Sequence, residues 1–129
     1  MPEELNLPEP VRERFKVAVD DLQKMLNDYK RGEWTDLIED SRGVYELLKE
    51  DTLVRGLLTS DGYPPEAIDD ICKCLKSLWD FTSKFHHHLD KGKEKLMPVL
   101  KPSKEEAELI YALSLTLVNL LARKAMRQT

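Results

Sequence analysis

Apolar residues return every third or fourth position along four stretches of this chain, the spacing that gathers them on one face of an α-helix. In the first stretch Val11, Phe15, Ala18, Leu22, Met25 and Tyr29 follow one another, with Val19 and Leu26 alongside. This predicts a helix from about Glu9-Pro10 to Arg31, stopped by Gly32, a residue suited to the left-handed position past a helix end. The second runs from about Glu33 to Glu50, with an inner stripe of Trp34, Leu37, Ile38, Ser41, Tyr45 and Leu48. Gly43 inside it costs about 1 kcal/mol relative to Ala, which points to a close helix crossing. Residues 52–59 suit a short extra helix, and Ser60-Asp-Gly-Tyr-Pro-Pro65 reads as a turn.

The third helix is expected to start at Pro64-Pro65 and to reach Leu89 or Asp90. Its seam is Ile68, Ile71, Leu75, Leu78, Thr82, Phe85 and Leu89, widened by Cys72, Trp79 and His86. On that spacing His86 leans toward the core, His87 toward solvent, and His88 lies near the other edge of the seam. A loop of about ten residues follows, with Gly92, Pro98 and Pro102. Ser103, with Glu106 three residues on, matches a capping box and opens a fourth helix that runs to about Met126. Residues 109–122 are apolar almost all round, so this helix is either central or faces a second subunit. The expected fold is therefore all-α, an antiparallel bundle of four main helices. It occupies 1–129 as one domain, with 1–8 a loose N-terminal segment.

Composition adds to this picture. A chain of 129 residues is long enough for a core without metal or disulfide staples. Charged residues make up 34% and glycines number five, as suits a soluble helical protein. No stretch approaches the roughly 20 apolar residues that span a bilayer, and Met1-Pro-Glu-Glu-Leu-Asn6 lacks the layout of a signal peptide. We therefore expect a cytoplasmic protein with no membrane partner. Cys72 and Cys74 would point about 200° apart on a helix, too far round to bridge or share a metal, and are expected to be reduced.

The net charge of −4 argues against a general nucleic-acid coat. Its distribution is uneven. Residues 84–104 hold six lysines against Asp90 and Glu94 and carry +4, while the remainder carries −8. Such a patch suits a polyanion approaching one site, or equally a solvated loop. The only histidines, His86, His87 and His88, lie beside it. Imidazole is the side chain whose ordinary charge change falls near neutral pH. Neighbouring histidines on a helix diverge by about 100°, and no Glu-x-x-His pattern or Cys/His zinc spacing accompanies them. Neither a native metal site nor a cofactor is expected.

Read together, three segments resemble a known family. They are Gly32-Glu-Trp-Thr-Asp-Leu-Ile-Glu-Asp-Ser-Arg-Gly-Val-Tyr-Glu-Leu-Leu-Lys49, Thr82-Ser-Lys-Phe-His-His-His-Leu-Asp-Lys-Gly92, and the helix opening at Lys101-Pro-Ser103 and running through Leu121. Over roughly residues 20–125 the chain resembles the C-terminal domain of abortive-infection proteins, within the HEPN group of helical domains. The resemblance implies a homodimer that cleaves RNA without a metal. A histidine would manage the proton of the ribose 2′-hydroxyl or leaving oxygen, and an arginine the charge growing on the phosphate.

The chain departs from the family at that motif. No arginine lies between Arg55 and Arg123. The motif arginine falls on Thr82, the asparagine on Ser83, and the histidine on Leu89 or, with a short shift, on His87 or His88. Losing a transition-state donor costs about 10²–10³ in rate. Two functions follow. In one, His88, His87 and Lys84 face an RNA phosphate, as binders or as a ribonuclease centre, while Lys91, Lys93 and Lys95 hold the backbone. In the other, a catalytically silent module uses the dimer face to bind a protein partner or to neutralise an active relative; the expected setting of either is prokaryotic defence or a toxin-antitoxin pair. Trp34 and Trp79 are expected in the core rather than as stacking platforms. Arg12, Arg14, Arg31 and Arg42 are not placed by the sequence.

Overall fold

Five α-helices account for most of the described chain: α1 (Glu9–Arg31), α2 (Trp34–Leu48), α3 (Asp51–Ser60), α4 (Pro65–Thr82) and α5 (Lys104–Arg127). The structure is a computed structural model and describes residues 9–48, 51–85, 89–90, 95–96 and 101–127. The expected loose segment 1–8 and the end of the second helix at Lys49 and Glu50 lie outside them. The fold is all-α, and the short extra helix is present as α3.

The helical stripes produce the core directly. Phe15, Ala18, Leu22 and Met25 of α1 are buried against Leu37, Ile38, Val44, Tyr45 and Leu48 of α2. α2 touches α1, α4 and α5, and α5 touches α1, α2 and α3. Burying each such large apolar side chain stabilises the fold by about 1.5–3 kcal/mol. Gly43 does mark a close approach: the Asp21 carboxylate of α1 occupies the place where a Cβ would stand.

Helix ends follow local chemistry. Gly32 takes φ +72°, and the N–H groups of Gly32 and Glu33 return to the carbonyls of Tyr29 and Asp28, a Schellman closure of α1. Gly62, at φ +88°, closes α3 in the same way through Thr59 and Leu58. Ser103 caps α5, its N–H donating to Glu106 Oε1 at 2.8 Å. Asp61, in the turn after α3, pairs with Lys124 and Arg127 near the end of α5.

Two expectations are corrected. The third helix does not reach Leu89: α4 ends at Thr82 and passes into a 3₁₀ turn at Ser83–Phe85. The hydroxyls of Thr82 and Ser83 donate to the carbonyls of Trp79 and Asp80, each three residues back, and tighten the turn. Leu89 and Asp90 (β1) instead pair antiparallel with Leu96 and Lys95 (β2), so the expected loop contains a short hairpin. Secondly, α5 is 24 residues long and apolar enough to cross a membrane by length and composition. A third of its apolar window is buried in the fold. It buries Ala107, Ile110, Ser114, Val118, Leu121 and Ala125, while Leu109, Leu115, Leu120 and Met126 are exposed.

Candidate nucleic-acid interface

α4 is the helix that leads into the histidine run, and its outer face is where charge and an aromatic ring meet. Pro65 in its first turn needs no N–H partner, and Ile68, Leu75 and Thr82 bury its inner seam. This rotation turns Asp69, Lys73, Lys76 and Asp80 outward. They line a cleft of about 450 Å³ with Cys72, Trp79 and Arg55, the last reaching across from α3.

Trp79 is half-buried, and its outer face is covered by Arg42 of α2, whose guanidinium carbon lies 4.0 Å from the ring centroid. A guanidinium flat on an indole keeps its in-plane donors available while the ring fixes its position. Arg55 Nη1 lies 2.8 Å from Asp69 Oδ1, and Lys76 Nζ lies 3.4 Å from Asp80 Oδ2. Both pairs are exposed, so water screens them and a polyanion competes for the cations at small cost. Among the residues that line the cleft, Arg55, Lys73 and Lys76 exceed Asp69 and Asp80 by one charge, while α4 itself carries Glu66, Asp69, Asp70 and Asp80 against Lys73 and Lys76.

The residues anticipated for RNA chemistry are placed unevenly. Lys84 is exposed on the 3₁₀ turn at the end of α4. His87 and His88 lie outside the described residues, as do His86, Lys91 and Lys93. Lys95 belongs to β2 by its backbone, and its side chain lies outside the description. Thr82 is fully buried, its hydroxyl donating to the Trp79 carbonyl at 2.8 Å, and Ser83 donates to the Asp80 carbonyl at 2.6 Å. The two side chains at the positions expected to match arginine and asparagine thus hydrogen-bond back to their own helix.

Two features of this face escaped the sequence. Arg42 was not assignable to any site, and Trp79 reads as core. The available signal was Arg42's position beside the buried Ser41 and three residues before buried Tyr45, which puts it at the edge of the stripe. The indole does pack against the core, but it also carries the arginine. Trp34, by contrast, packs on Tyr29 with centroids 5.5 Å apart, as a core-edge residue. Cys72 and Cys74 are not disulfide-bonded. Comparison with protein-family models, with curated proteins and with solved structures found no match to this chain.

Proposed function

We propose that this chain is a HEPN-like domain that binds single-stranded RNA as a cytoplasmic homodimer and cleaves it weakly or not at all. In this reading α1, α2, α4 and α5 are the four main helices of an antiparallel bundle, and α3 is the addition. The setting is prokaryotic defence or a toxin-antitoxin pair.

The observation that carries the binding half is the cleft on α4, where Arg55, Lys73 and Lys76 gather beside Trp79 and the Arg42 that lies on it. Basic side chains in a groove can track a single-stranded backbone without base-specific contacts, and the Trp79 ring, covered by Arg42, fixes the guanidinium rather than stacking a base. Lys84 extends the face toward the histidine run. Loss of catalysis is supported by the buried Thr82 and helix-bound Ser83, which supply neither guanidinium nor amide to a phosphate. The homodimer is supported by a shallow apolar groove between α1 and α5, lined by Phe15, Val19, Leu22, Leu26, Tyr111 and Leu115, among others. Val17, Leu109 and Leu120 add exposed apolar surface on the same two helices.

The test uses labelled single-stranded RNA in the presence of chelator, with binding read by anisotropy and integrity by gel. The proposal expects a bound, intact RNA, and the same result for the His87→Ala/His88→Ala variant apart from a modest loss of affinity. Cleavage that disappears in the double variant would replace this reading with an active ribonuclease built on His87, His88 and Lys84. Absence of binding would leave the interaction module without RNA as its ligand and overturn the proposal.

A further inference from the structure

The inner side of α5 packs on α1, α2 and α3, and its outer side is exposed. No charged residue occurs from Leu109 to Ala122, about 21 Å of helix. On the outer side of that span Leu109 is 49% exposed, Leu120 41% and Leu115 36%. A helix that is wet on one side carries polar and charged residues there. In α5 the charges stand only toward the two ends of the helix.

The order of those charges is informative. At 100° per residue, Glu105, Ala112, Thr116 and Arg123 fall within about 40° of one line along the helix, and all four are exposed. Lys104 lies about 100° away from this line, on the side of the groove between α1 and α5. The line is spaced seven, four and seven residues, which reads the same from either end. Its two ends carry opposite charge. A second copy turned through 180° therefore meets the first in register: Glu105 faces the partner's Arg123, and Ala112 faces the partner's Thr116. Leu109, Ala112, Thr116 and Asn119 follow the three-and-four spacing of a helix–helix seam. The same turn brings Leu109 against the partner's Asn119 and the partner's Leu120. A parallel copy would instead set Glu105 on Glu105 and Arg123 on Arg123.

We propose that two copies of this chain associate through the outer face of α5, packed antiparallel about a two-fold axis that passes midway between Ala112 and Thr116, with Glu105 of each subunit paired to the partner's Arg123. Two-fold symmetry makes every contact twice, so one dimer holds two such ion pairs around an uncharged centre. The leucines supply the buried apolar area, and the charges at the ends fix direction and register. Leu115 and Asn119 also line the groove between α1 and α5, so groove and seam form one continuous surface. The inference rests on the homodimer proposed above, whose helix and direction it specifies, and it is independent of RNA binding.

The test is sedimentation of the full chain over a range of concentrations. It compares the parent, Glu105→Arg, Arg123→Glu, an equimolar mixture of these two variants, and the double reversal. Glu105→Arg leaves the cap of α5 in place, because the Ser103 N–H donates to Glu106. Each single reversal sets like charges face to face twice per dimer and should raise the dissociation constant about tenfold or more. The mixture should dimerise like the parent, since arginines at both positions of one subunit then meet glutamates at both positions of the other. The double reversal should recover in the same way. A parent dimer that neither single reversal weakens keeps the homodimer and overturns its assignment to α5. Weakening that neither the mixture nor the double variant repairs would mean that these charges act within one chain, and overturns the pairing. A parent that stays monomeric removes the homodimer itself, and this proposal with it. Flotation of such a monomer with phosphatidylcholine vesicles would give the apolar face to lipid, and no flotation would give it to a different protein.

Discussion

Tyr45 sits wholly inside the core of α2, yet its hydroxyl has no hydrogen-bond partner among the described residues. The Ser114 hydroxyl of α5 donates to the Ile110 carbonyl at 2.6 Å, and its oxygen is near enough to the phenol to oppose in part the upward push of burial. Burial holds the phenol above its ordinary range. The ring is therefore what stabilises the fold, and the oxygen is a small burden. We predict that Tyr45→Phe leaves stability within about 1 kcal/mol of the parent or raises it, whereas Tyr45→Ala costs about 3–5 kcal/mol. Urea unfolding of the two variants checks this. A loss above about 2 kcal/mol in the phenylalanine variant would mean that the hydroxyl is bonded after all. Single residues also mark the limit of sequence reading. Gly43 was legible because a helix-breaking residue on a buried stripe needs a reason, and Asp21 provides it. Asp28 was not recognised, although an acid falling three residues after Met25 on the inner face of α1 was a signal of the same kind.

At the scale of elements, the contact between the α3–α4 turn and α5 is electrostatic. Lys124 is buried beside Asp61 and over the Tyr63 ring, and Arg127 adds a second contact to the same carboxylate at 2.8 Å. Lys124 foremost, then Arg127, hold the Asp61 carboxyl below its ordinary value of 3.8. A carboxyl lowered on folding adds stability that is fully present above 3.8 and fades as pH falls through the folded value. Asp61→Asn should lower the melting temperature by several degrees at neutral pH, because Lys124 loses its counter-charge, and the gap to the parent should narrow as pH falls below 4. Thermal melts between neutral and acid pH check this, and a gap that widens toward acid would contradict it.

Element boundaries also explain what was legible. α1, α2 and α5 follow their apolar spacing closely, because one buried face fixes each of them. α4 stops at Thr82 although Phe85 and Leu89 continue the spacing, since two successive hydroxyls draw the backbone into 3₁₀ geometry. Periodicity reports which residues face inward and says nothing of side chains that compete for backbone carbonyls. The cleft on α4 was illegible for another reason: Arg42 and Trp79 lie 37 positions apart in the sequence, and only the packing of α2 on α4 brings them together.

For the whole molecule, the described residues of an acidic chain include a cleft on α4 lined by three basic and two acidic side chains and an apolar groove between α1 and α5, and the proposed function gives each a task. If the α1–α5 groove is the seat of a second copy, Leu115→Glu at its exposed rim should turn a dimer into a folded monomer in sedimentation. A parent chain that sediments as a monomer would remove the dimer from the account. The α4 face makes the sharper demand, since binding through phosphates releases counterions and obeys a definite salt law. For a single strand, the slope of log affinity against log salt is about −0.7 for each phosphate neutralised. The deciding measurement is this slope for the parent and for Lys73→Gln/Lys76→Gln, read by anisotropy with a labelled single-stranded RNA. The account predicts steep salt dependence in the parent and a slope shallower by about 1.4 in the double variant. Equal slopes in the two proteins, or binding indifferent to salt, would contradict the claim that this helix face holds RNA.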